Sequence, residues 1–129
     1  MKLMVTAALG VLLLVGGNSQ ADEFTPPEGV KVLNPDEMKS TFAGKTALGT
    51  SGWKEFYLED GTIEGRSKKN RHYVGKWIIE PDRMCYEYEK AQWDGCAFIG
   101  IDADGVIRYY DVDRGREKGS ARVKNGRQL

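Results

Sequence analysis

From Lys45 onward the chain breaks into short β-prone runs, with a turn signal roughly every 8–12 residues and little between them that suits a helix. Trp53–Leu58 is an aromatic-rich run closed by Glu59-Asp60-Gly61-Thr62, a hairpin turn of the Asp-Gly type, and Thr62–Arg66 returns from it. After the polar loop Ser67–Asn70, the run Tyr73–Glu80 puts Tyr73, Gly75, Trp77 and Ile79 on one face. Pro81-Asp82-Arg83 turns the chain into Met84–Glu89, where Met84, Tyr86 and Tyr88 alternate with Cys85, Glu87 and Glu89. The remaining runs are Cys96–Ile101, Val106–Val112 and Ser120–Lys124, separated by the turn Asp102–Gly105 and the charged loop Arg114–Gly119. Seven or so strands in so short a chain predict a mainly β fold. Because open sheet edges invite aggregation, the expected form is a small antiparallel meander closed as a barrel or curved sandwich.

One segment departs from this pattern. In Leu33-Asn34-Pro35-Asp36-Glu37-Met38, Asn34 suits an N-cap and Pro35 the first helical position, where a missing N–H costs nothing. Glu37 can reach back to the cap, and Leu33 and Met38 are spaced for a hydrophobic staple. The spacing predicts one short N-terminal helix over about 35–43, ended by Gly44 and docked through Met38 and Phe42. Residues 22–33, with Pro26-Pro27, read as an extended lead-in, and 34–129 as a single β-rich domain.

Residues 1–21 read as a signal peptide. Lys2 precedes the apolar run Leu3–Val15, Gly16-Gly17-Asn18 break it, and Ser19 and Ala21 are small residues at −3 and −1 of the expected cleavage site. The run falls short of the about 20 apolar residues that a spanning helix needs. The expected mature chain, Asp22–Leu129, therefore lies in the periplasm or is secreted, with no membrane span after cleavage. The whole chain balances 19 basic against 19 acidic residues, and loss of Lys2 leaves one acid in excess. That balance argues against a nucleic-acid partner. An oxidising compartment also permits a disulfide between Cys85 and Cys96, closing a loop of about a dozen residues and adding on the order of 3 kcal/mol.

Phe42-Ala43-Gly44-Lys45-Thr46, an aromatic strand with Asp60-Gly61, then Gly75-Lys76-Trp77, a cysteine strand and a second cysteine together resemble the domain-of-unknown-function 995 family of small exported proteobacterial proteins. The resemblance covers about Asp36 to Ile107. It implies an exported β-rich domain with paired cysteines, and carries no assigned activity or catalytic residue. Gly75-Lys76-Trp77 also matches the short Gly-x-Trp signature of lipocalin-like barrels, although a core Trp following a glycine that permits close backbone approach accounts for the same residues.

No catalytic, cofactor-binding or metal-ligating set emerges. His72 is the only histidine, and no serine stands in a nucleophile elbow. Asp102-Ala103-Asp104 begins like a calcium loop but then offers Val106, Ile107 and Asp113 where an oxygen ligand, a glycine and a glutamate are needed. Glu55, Glu59, Asp60, Glu64, Glu87 and Glu89 lie on or beside strands, and two of them facing one cleft would suit a small hydrolase. The preferred reading is a non-catalytic binding or interaction protein for a small ligand or an exported protein partner. Its support is a surplus of aromatics: Trp53, Tyr57, Tyr73, Trp77, Tyr86, Tyr88, Trp93, Tyr109 and Tyr110. Trp53, Tyr57, Trp77 and Trp93 are the candidate contacts, with Trp93 either exposed in its loop or packed over the disulfide.

Overall fold

The computed structural model describes residues 24–129, so the segment 1–21 that was expected to be a signal peptide lies outside the described residues. Nine strands follow in chain order: β1 (Lys31–Val32), β2 (Lys45–Gly49), β3 (Lys54–Tyr57), β4 (Thr62–Arg66), β5 (His72–Ile79), β6 (Met84–Tyr88), β7 (Gly95–Ile101), β8 (Ile107–Asp111) and β9 (Glu117–Asn125). Each of β2 to β9 pairs antiparallel with its neighbour in sequence, and β9 returns to β2, Lys45 facing Asn125 and Gly49 facing Ala121. The result is a closed eight-stranded up-and-down barrel. β1 adds to β7 from outside, Val32 opposite Gly100.

Two strands lie where no strand was expected. β2 is a short KTALG run with few β-branched residues, and its strand state comes from pairing on both sides, with the neighbouring β3 and with the distant β9. β1 occupies the end of the lead-in. β9 also begins at Glu117, inside the expected loop Arg114–Gly119, because it pairs along β8 through a register shift at Tyr109 and Tyr110.

The helix α1 (Pro35–Phe42) forms as its capping residues require. The Asn34 side chain accepts from the Glu37 N–H at 2.8 Å, and Glu37 Oε1 accepts from the Asn34 N–H at 3.0 Å. Lys31 pairs with the same Glu37 carboxylate. Gly44 follows at φ +74°, and its N–H donates to the Tyr57 carbonyl at 2.7 Å, tying the helix exit to β3. α1 thereby covers the barrel end at which β3, β5 and β9 finish. Met38 and Phe42 are fully buried there, and Phe42 packs on Tyr57 with ring centroids 5.0 Å apart. Ile63, Met84, Ile99 and Ile107 fill the adjoining interior. Among the described residues no α-helix covers the opposite end.

Outside the barrel, Phe24 stacks on Phe98 at 4.7 Å and tilts onto Tyr110 at 4.9 Å, so the lead-in shields an apolar patch on β7 and β8. Cys85 and Cys96 face each other across β6 and β7 and are joined by a disulfide. Replacing both cysteines by alanine is expected to lower the unfolding free energy by about 3 kcal/mol. In thermal denaturation that corresponds to a Tm loss on the order of 10–20 °C, and a loss below about 3 °C would show that the bridge adds little.

Candidate functional site: an aromatic cavity around a buried glutamate

An eight-stranded barrel is just wide enough for its own side chains to fill it. At the uncovered end five inward glycines change that outcome. Each lies directly across from an inward aromatic: Gly49 from Trp53, Gly65 from Tyr73, Gly75 from Tyr88, Gly95 from Tyr86, and Gly119 from Tyr109. The rings lie against the glycine backbones. A Cβ built on Gly49 would fall 2.1 Å from the Trp53 indole, and one on Gly65 would fall 2.3 Å from the Tyr73 ring. With the rings laid along the wall, the lumen stays open as a cavity of about 390 Å³. Trp93, on the 3₁₀ turn Ala91–Trp93, stands at the mouth, 46% exposed and edge-on to Tyr73 and Tyr88. Lys68, Lys118, Ser67 and Gly119 complete the lining.

Glu55 lies at the centre. On β3 its side chain points inward with that of Tyr57, while Lys54 faces out, and Glu55 is only 7% exposed. Tyr57 donates to Oε1 at 2.6 Å, and Tyr73 and Tyr88 donate to Oε2 at 2.6 and 2.8 Å. The two 2.6 Å lengths are those of hydroxyl donors on a charged acceptor. None of the five ion pairs among the described residues includes Glu55, and its side-chain hydrogen-bond partners there are the three hydroxyls. Tyr109 Oη is buried in the same cavity with no hydrogen-bond partner among the described residues.

Burial, followed by the nearby Glu55 charge, raises the hydroxyl pKa of Tyr57, Tyr73, Tyr88 and Tyr109 well above the ordinary tyrosine value. All four hydroxyls are therefore neutral at physiological pH, and those of Tyr57, Tyr73 and Tyr88 donate to Glu55.

The four candidate contacts separate. Trp53, Tyr57 and Trp93 line the cavity. Trp77 does not: it is 8% exposed in the core beneath Tyr57 and donates its indole N–H to the Leu58 carbonyl at 2.9 Å. Gly75 serves the close approach expected of it, since a Cβ there would meet the Glu87 carbonyl at 2.6 Å. Of the strand carboxylates, only Glu55 lines the cavity. Glu64 pairs with Arg127 at 3.1 Å, and Glu59, Asp60, Glu87 and Glu89 are exposed. Asp102 Oδ1 accepts the N–H groups of Asp104 and Val106, and its Oδ2 pairs with Arg108, which makes the turn a capped hairpin. Among the described residues no cluster of three or more His, Cys, Asp or Glu is placed to hold a metal ion. Glu55 stood out in sequence only as one acid among six. The inward glycines and their aromatic partners become visible only once the register pairs them.

A group whose pKa is raised by folding stabilises the native state fully below its unfolded pKa, here about 10, and that contribution is lost as pH rises beyond it. Alkaline titration should therefore leave these four hydroxyls protonated past pH about 10, then ionise them together with loss of the fold. Phenolate absorbance and circular dichroism, followed together, check this. Ionisation of all the tyrosines near pH about 10 with the dichroism intact would contradict the buried network.

Comparison of the chain with family models, curated proteins and solved structures returned no match.

Proposed function

We propose that this protein is an exported, non-catalytic β-barrel, periplasmic or secreted, that binds a small ligand through its uncovered end. The observation that carries the reading is the open aromatic cavity with one buried polar centre. At about 390 Å³ it falls within the range of small-molecule sites, which are mostly apolar with a few placed polar groups. A barrel with a filled interior would have favoured a protein partner instead.

A hydrolase using paired carboxylates draws less support. Such chemistry needs two acids at a defined separation, and Glu55 is the one acid in the lining. Its oxygens are also occupied by three tyrosine donors, which hold it as a fixed charge.

Export rests on the signal-peptide pattern of residues 1–21, and the Cys85–Cys96 disulfide is compatible with it. No helix of the described residues is long and apolar enough to cross a membrane. The resemblance to the domain-of-unknown-function 995 family points the same way on export and adds nothing on ligand.

Fractionation of expressing cells should recover a chain beginning at Asp22 outside the cytoplasm, identified by its intact mass; a cytoplasmic chain retaining Met1 would overturn the export reading. For binding, Trp53 and Trp93 line the cavity, so tryptophan fluorescence reports occupancy. A panel of small alcohols, amines, carboxylates and aromatic compounds is expected to contain saturable ligands. Gly119→Leu should abolish their binding while the fold persists, because a Cβ at Gly119 meets only Tyr109, at 3.9 Å, and leaves room for a side chain to enter the cavity. If no panel member saturates, or if Gly119→Leu binds unchanged, the cavity is not a ligand site.

A further inference from the structure

We propose that the cavity binds an organic ammonium cation, its charged head held among the rings of Trp53, Tyr73 and Tyr88 and facing the carboxylate of Glu55. The inference rests on the binding reading above and names the ligand class of the same site.

Three features of the cavity converge on a cation. Glu55 is the only buried charged side chain among the described residues, and it has no cationic partner there. A carboxylate accepts about four hydrogen bonds. Glu55 receives three from tyrosine hydroxyls, which leaves acceptor capacity on Oε1. Tyr109 Oη, without a hydrogen-bond partner among the described residues, lies beside the same cavity and can accept from an ammonium N–H as well as donate. Seven of the twelve lining residues are aromatic, and aromatic ring faces, tryptophan most strongly, attract ammonium groups.

The chain's own lysines illustrate the same attraction at the rim. Lys118 Nζ lies 5.2 Å from the centroid of the Tyr86 ring, and Lys90 Nζ lies 5.1 Å from that of Trp93. Lys68 and Lys118 also place positive charge at the mouth, which opposes an incoming cation. Both are exposed, so water and salt weaken that repulsion, with screening over about 8 Å at physiological ionic strength. The Glu55 charge acts inside the barrel, where the effective dielectric is several-fold lower and the interaction correspondingly stronger. An anionic ligand would meet the reverse balance: weak attraction at the mouth and strong repulsion within.

The test compares matched pairs on the full-length mature protein by calorimetry. One pair is choline and its neutral isostere, in which a tert-butyl group replaces the trimethylammonium. The other is butylammonium and butanol. The expected result is at least about tenfold tighter binding of the cation in one pair or both, a preference on the scale of a partly desolvated cation–π contact. Glu55→Gln should reduce the preference, read as the affinity ratio within each pair, to less than about twofold. Equal affinity within both pairs overturns the cation proposal and leaves the binding reading standing. Preference retained in Glu55→Gln also overturns it. Failure of these four probes, alongside saturable binding of other small molecules, overturns the cation proposal alone; failure of every probe overturns both. The wild-type comparison decides the proposal even if Glu55→Gln does not fold.

Discussion

The width of an eight-stranded barrel governs both ends of this molecule. Side chains from eight strands ordinarily meet across the lumen and fill it. That happens at the end covered by α1, where Met38, Phe42, Ile63, Met84, Ile99 and Ile107 are all fully or almost fully buried. At the other end, each of five inward aromatics lies along a cross-strand glycine, and the lumen remains open. Glycine in a strand weakens it by roughly 0.5–1 kcal/mol relative to alanine. A ring seated on the bare backbone restores part of that packing, as when aromatic residues cover glycines in other sheets. Cavity and wall are thus products of one arrangement.

Tyr57 joins the two halves. Its ring belongs to the core, tilted on Phe42 and edge-on to Trp77, while its hydroxyl donates to Glu55. The buried carboxylate is therefore held by a residue whose own position is set by the helix plug. Tyr73 and Tyr88 bring β5 and β6 to the same oxygen. A buried charge left unpaired is costly, and a half-satisfied network is worse than an apolar one. Here three strands converge on one acid, which makes the polar centre a specific constraint on how these strands align.

The exterior is stabilised by different means. Closure removes sheet edges, so the strands of the barrel offer no template for association. The lead-in covers the outward rings of Phe98 and Tyr110 with Phe24, and Val30 packs where a Cβ on Gly100 would stand. The disulfide ties β6 to β7 beside the loop that carries Trp93. A domain of this size buries only about 60–70% of its unfolded surface, so a single cross-link is a substantial addition.

Local chemistry was enough to determine much of the framework. Asn34-Pro35 and Glu37 specify the start of α1, Asp60-Gly61 specifies a hairpin, and the alternation of Met84, Tyr86 and Tyr88 specifies which face of β6 turns inward. The regular turns specified an antiparallel meander, and two cysteines in a chain expected to be exported made one disulfide the expected pairing. Only the tertiary structure decided between barrel and sandwich, because closure depends on β2 meeting β9, about as far apart in sequence as two strands of the barrel can be, and β2 is too weakly β-prone to be recognised alone. It also singled out Glu55 from five other acids and separated Trp77 from Trp53 and Trp93. Those distinctions depend on register, on which residue of one strand stands opposite which residue of the next. Register is set by closure of the whole sheet and by no short stretch of chain.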